Sequence, residues 1–119
     1  MKFACLVYLD GSILAGLPPE EASRLNDACL EFDARHLARG EVTLAYPMQP
    51  PGKAVTIRQR DGRLSATDGP FAETKEALAG FFLVDTPTLA EAIAIAGRSP
   101  LVAAGGTVEV RPFLPREHS

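Results

Sequence analysis

Phe3-Ala4-Cys5-Leu6-Val7-Tyr8-Leu9 is apolar at almost every position, so a strand built from it is apolar on both faces. The same holds for Ala79-Gly80-Phe81-Phe82-Leu83-Val84 near the middle of the chain. Two such strands need cover above and below. The segments between them decide what supplies that cover.

Asp10 to Leu17 reads as a loop containing Gly11 and Gly16, and Pro18-Pro19-Glu20-Glu21 offers the fixed angles and acidic first turn of a helix start. The helix is expected to run to about Arg39. Its apolar stripe is Ala22, Leu25, Cys29, Phe32 and His36, flanked by Leu30 and Leu37, and Gly40 provides the C-cap. Glu41 to Tyr46 then reads as a second strand, followed by a loop holding Pro47, Pro50, Pro51 and Gly52 that no sheet ladder could absorb.

Lys53 to Arg60 and Arg63 to Asp68 flank Asp61-Gly62, whose tolerance of positive φ suits a two-residue type I′ hairpin turn. After the Ala79–Val84 strand, Thr86-Pro87 is expected to open a helix with Leu89, Ala92, Ile93 and Ala96 inward. Pro100 closes that helix's reach. Val108 and Val110 alternate with Thr107, Glu109 and Arg111 in a closing strand stopped by Pro112. Two βαβ halves joined by a hairpin predict an α+β, ferredoxin-like βαββαβ fold with an added β-hairpin, its antiparallel sheet carrying both helices on one face.

Two helices cover only one face of such a sheet. An apolar face left open marks an interface, and closed two-fold pairing is its commonest solution, so a homodimer with facing sheets is expected, with a ligand cavity between them.

The 119 residues suit one domain, over 1–113, with 114–119 as a C-terminal tail; folding should bury roughly two thirds of the unfolded surface. Hydrophobic residues make up 46% and charged residues 23%, an ordinary globular mixture. At net charge −3, with Lys and Arg scattered, direct nucleic-acid binding is not expected. No apolar run reaches the roughly twenty residues of a membrane span, and no signal peptide is visible, so a cytoplasmic location is expected. Cys5 and Cys29 lie on apolar faces and read as unbridged; no Cys/His set suggests a metal, and no cofactor motif is visible.

The most distinctive stretch is Asp68-Gly69-Pro70-Phe71-Ala72-Glu73-Thr74-Lys75-Glu76. Asp68, ending a strand, has two readings: a general acid or base if burial raises its pKa, or an Asx-turn or helix N-cap with Pro70 in the first turn. Glu73, Lys75 and Glu76 either complete such a site or are solvated. His36 has two readings as well, a proton carrier oriented by Asp33 one turn earlier, or a packed, C-capping residue. Tyr8 and Arg58 fit a ligand pocket, Arg58 as a donor to an anion, and fit an exposed surface equally. His118 falls in the tail.

The Asp68-to-Glu76 stretch resembles the signature of the DGPF proteins within the YCII-related superfamily, and the resemblance extends from the first strand through the Asp61-Gly62 hairpin to Val108-Glu109-Val110-Arg111-Pro112. It implies a dimeric α+β barrel in a bacterial family of mostly unassigned function. Some members resemble small-molecule enzymes of the dehydrochlorinase or lactone-isomerase kind, with a histidine early in the first helix; here Ala22 to Asp27 contains none. Two functions are therefore expected to compete. One is a homodimer binding a small organic acid, with acid–base chemistry of the elimination or isomerisation type, catalysed through Asp68 and His36 and ligated by Tyr8, Arg58, Glu73, Lys75 and Glu76. The other, implied by the family's association with extracytoplasmic-function sigma factors, is a non-catalytic regulatory module.

Overall fold

In a computed structural model describing residues 1–116, the two doubly apolar strands lie side by side at the centre of one sheet. β1 (Lys2–Asp10) and β5 (Glu76–Asp85) pair antiparallel, β2 (Val42–Pro47) borders β5, and β6 (Thr107–Pro112) borders β1, in the order β2-β5-β1-β6. β3 (Val55–Arg60) and β4 (Arg63–Asp68) form a separate two-stranded ribbon. The ferredoxin-like expectation is met, with the added hairpin outside the main sheet.

Alternation sorts the residues. Phe3, Cys5, Val7 and Leu9 of β1 and Phe82 and Val84 of β5 are buried toward the helices, while Ala4, Leu6, Tyr8, Phe81 and Leu83 occupy the opposite face and stay half-exposed. α2 (Pro19–Ala38) packs Phe32 and His36 on the buried side, as its stripe requires, and Gly40 leaves the helix at φ 74°. The turn Asp61-Gly62 has φ 50° and 75°, the signs a type I′ turn needs.

Several local expectations change: Pro47, expected in a loop, is the last residue of β2, opposite Gly80. Asp10 to Leu17 holds a short helix, α1 (Gly11–Ala15), because the Asp10 carboxylate accepts bonds from the Ser12 N–H at 3.0 Å and the Ser12 hydroxyl at 2.9 Å. Those two bonds also hold the Asp10 carboxyl below its ordinary pKa. The next helix, α3 (Leu89–Gly97), begins two residues later than Thr86-Pro87 suggests, with Thr88 as N-cap accepting from the Glu91 N–H at 3.2 Å. Its inner face is Ala92, Ile95 and Ala96; Leu89 and Ile93 face outward. Pro100 does not merely stop that helix but opens α4 (Pro100–Ala103), capped by Ser99. Replacing the Thr88 cap, Thr88→Ala, should lower unfolding free energy by about 1 kcal/mol in urea titrations, because an N–H of the first turn loses its acceptor.

β1 and β5 slip register between Val7 and Tyr8, where Ala79 is the extra residue of a bulge. The carbonyl of Ala79 accepts the Met48 N–H at 2.8 Å and so anchors the segment leaving β2. The molecule is a plate, 47 × 46 × 19 Å, with a radius of gyration of 16.3 Å.

Candidate functional site

A cleft of about 410 Å³ lies between α2, β1, β2, β5 and the start of α4. Val7, Leu9, Phe82 and Leu25 supply apolar walls. Its polar side chains are Asn26, Cys29 and Asp33, spaced three and four apart on one side of α2, with Tyr46 from β2 and Ser99 from the start of α4. None of the lining residues is Lys or Arg.

Burial raises the Asp33 carboxyl above its ordinary pKa of 3.8, and the neighbouring charge of His36 offsets part of that rise. Burial, aided by the Asp33 charge, raises the Cys29 thiol as well. A thiol so placed stays protonated and is a poor nucleophile, whereas a carboxyl shifted toward neutrality can both give and take a proton. Cys5, on the core side of β1 with its pKa pushed up to about 11, is sealed from chemistry.

These environments give a direct check. Maleimide should label Cys29 slowly and Cys5 far more slowly, and a molecule filling the cleft should slow Cys29 further while leaving Cys5 unchanged, as read by intact-mass spectrometry.

His36 is packed rather than presented. It is 1% exposed, its ring centroid lies 4.5 Å from that of Phe32, and its Nδ1–H donates to Glu41 Oε1 at 2.9 Å, so Glu41, not Asp33, orients it. Asp68 ends β4 at the root of the ribbon and is exposed. No helix follows it; instead the Gly69 N–H donates to the Ala54 carbonyl at 2.7 Å and the Thr56 hydroxyl to the Gly69 carbonyl at 2.8 Å, closing the ribbon's base. Neither His36 nor Asp68 lines the cleft.

Tyr8, Glu73 and Glu76 are brought together elsewhere, in an open groove of about 830 Å³ at the end of the uncovered sheet face, walled by the segments 48–54 and 70–74. Glu76 accepts from the Thr107 hydroxyl at 3.1 Å. Arg58 lies on the ribbon and Lys75 lies close enough to Asp10 to lower its pKa; neither lines that groove. His118 lies outside the described residues. The sequence did not single out Asn26, Cys29, Asp33 and Ser99 as one set; the visible signal was Asn26 and Asp33 beside the α2 stripe, three and four residues from Cys29 within it.

Among the described residues no group of three or more His, Cys, Asp or Glu side chains could hold a metal ion, and no helix is long and apolar enough to cross a membrane.

Comparison with known proteins agrees with this architecture. The YCII-related domain profile matches residues 1–116. An uncharacterized protein of Rhizobium meliloti (strain 1021) is 34% identical over 114 residues, covering 95% of this chain and 92% of that one. Among solved structures, 5-chloro-2-hydroxyhydroquinone dehydrochlorinase from Burkholderia phenoliruptrix AC1100, in complex with 2,5-dihydroxybenzoquinone, superposes with a TM-score of 0.58 at 13% identity, over 99% of this chain and 98% of that one. At that identity the likeness is one of fold.

Proposed function

Because this chain belongs to the YCII-related family, a family whose fold also carries dehydrochlorinase chemistry, we propose that it binds a small ring compound in the α2 cleft and moves a proton there with Asp33. The observation that carries this reading is one carboxyl with a raised pKa, facing a largely apolar cleft of about 410 Å³.

The absence of Lys and Arg from the lining shapes the ligand. A free carboxylate entering the cleft would lose its hydration and meet the Asp33 charge without a cation to balance either, so a neutral or enolic ring is preferred over the organic acid expected from sequence. Asn26 and Ser99 supply hydrogen bonds to ring oxygens. Asp33 in its carboxylate form takes the proton from a ring hydroxyl or an acidic carbon; the electron pair released forms the new C=O or C=C bond and expels a leaving group as its anion, or, in an isomerisation, shifts to a second carbon to which the Asp33 carboxylic acid returns the same proton.

The test is thermal shift with a panel of hydroxyquinols, hydroxybenzoquinones and short carboxylic acids. Ligands bound only by the native state raise its melting temperature. The ring compounds should stabilise the protein and the carboxylic acids should not; a panel in which nothing binds removes the reading and directs the search to protein partners.

We also propose, from the uncovered sheet face, that the working unit is a homodimer. Leu44 and Tyr46 are 36% and 59% exposed beside half-buried Leu6, Phe81 and Leu83 on the same face. Such a contiguous apolar surface favours association.

A further inference from the structure

The β3–β4 ribbon is amphipathic although it forms a sheet of its own, apart from the four-stranded one. Its cross-strand register, Ile57 opposite Ala66, Gln59 opposite Leu64 and Val55 opposite Asp68, puts Val55, Ile57, Leu64 and Ala66 on one side, with Gln59 and, at the root, Asp68, and Arg58, Arg60 and Arg63 on the other. Val55, Ile57 and Leu64 are 57%, 65% and 74% exposed. A two-stranded hairpin with an exposed apolar face is marginal in water by itself.

Surface area identifies the cover. A compact 12.7 kDa monomer exposes about 6,200 Å², whereas this chain exposes 8487 Å². Its radius of gyration of 16.3 Å likewise exceeds the roughly 13.5 Å of a compact chain of this length. The excess of roughly 2,200 Å² per chain, covered on both copies of a dimer, gives a total of roughly 4,500 Å², which falls in the range of permanent homodimers.

The sheet face alone does not account for that excess. Four strands of 9, 6, 10 and 6 residues at normal spacing span a footprint of roughly 500 Å². The ribbon is the other extended surface, and it is rooted beside the sheet face: Met48 to Ala54 and Pro70 to Thr74, which lead into and out of it, wall the groove that also holds Tyr8.

We infer that the ribbon is a clasp: its apolar side, Val55, Ile57, Leu64 and Ala66, lies against a second copy of this chain seated on the open sheet face. The inference rests on the homodimer reading and goes beyond it, because the ribbon, and not only the sheet, holds the pair together.

The test compares the wild type with Ile57→Lys/Leu64→Lys by light scattering and by sedimentation across a dilution series. Both side chains are exposed in the single chain, so its fold should survive, and unchanged far-UV circular dichroism after dissociation verifies this. The double variant should raise the dimer dissociation constant at least tenfold. A wild-type dimer whose dissociation constant is unchanged by the double variant overturns the clasp and leaves the homodimer standing. A wild type that is monomeric throughout overturns both, while the cleft reading, which depends on ligand-induced melting shifts, is judged separately.

Discussion

Phe82→Ala should cost about 3–5 kcal/mol of unfolding free energy, the largest loss expected from a single side-chain truncation in this chain. Phe82 is 4% exposed at the middle of β5, stands edge-on to Phe32 of α2 at 5.8 Å between centroids, and pairs with Cys5 on one side and Ala45 on the other. It is thus the side chain through which helix, central strands and edge strand share one core. Truncation also removes part of the cleft wall. Urea titration measures the loss; a change under 1 kcal/mol would mean that α2 can settle onto the sheet and that the cleft is collapsible.

Asp33→Asn should lower turnover of a cleft substrate by about 10²- to 10⁴-fold, the usual contribution of a positioned acid or base. Its effect on stability should run the other way. Asp33 has a folded pKa above 3.8, so the stability it contributes is fully present below that unfolded value and is lost as pH rises through the folded pKa. The asparagine variant does not titrate. It should therefore gain on the wild type as pH climbs through that window and, at neutral pH, melt no lower. Turnover that survives the substitution would remove Asp33 from the chemistry. A variant that melts well below the wild type at neutral pH, with no pH dependence in the difference, would make Asp33 a structural residue.

The sheet was legible because its evidence is local. Phe3 to Leu9 and Ala79 to Val84 declare two buried faces by themselves, Asp61-Gly62 names its own turn, and the Ala22-Leu25-Cys29-Phe32-His36 spacing selects one side of a helix. The outer helix was less so. Ala92 and Ala96 are flanked by Leu89 and Ile93 on one side and Ile95 on the other, and both choices satisfy helical spacing; only packing against the sheet decides for Ile95.

The cleft was not legible at all, since it depends on how far α2 stands from the sheet and on Ser99 arriving from a segment some seventy residues later. Composition pointed instead to the charge-rich Asp68 to Glu76 stretch. Of the residues proposed there and in the strands, Tyr8, Glu73 and Glu76 share the groove, while Asp68 and Arg58 sit on the ribbon that the register sends outward.

Ala79, the bulged residue whose carbonyl holds Met48, connects the two concavities. Met48 borders both the α2 cleft and the groove at the root of the ribbon. Its thioether side chain is supple enough to repack when either space fills. If a second copy seats as proposed, cleft occupancy and that seating both bear on Met48, and any effect of one on the other must be equal in both directions. A cleft compound that tightens the pair would bind more strongly as protein concentration rises, so the apparent affinity measured for this protein would depend on how much of it is in the tube.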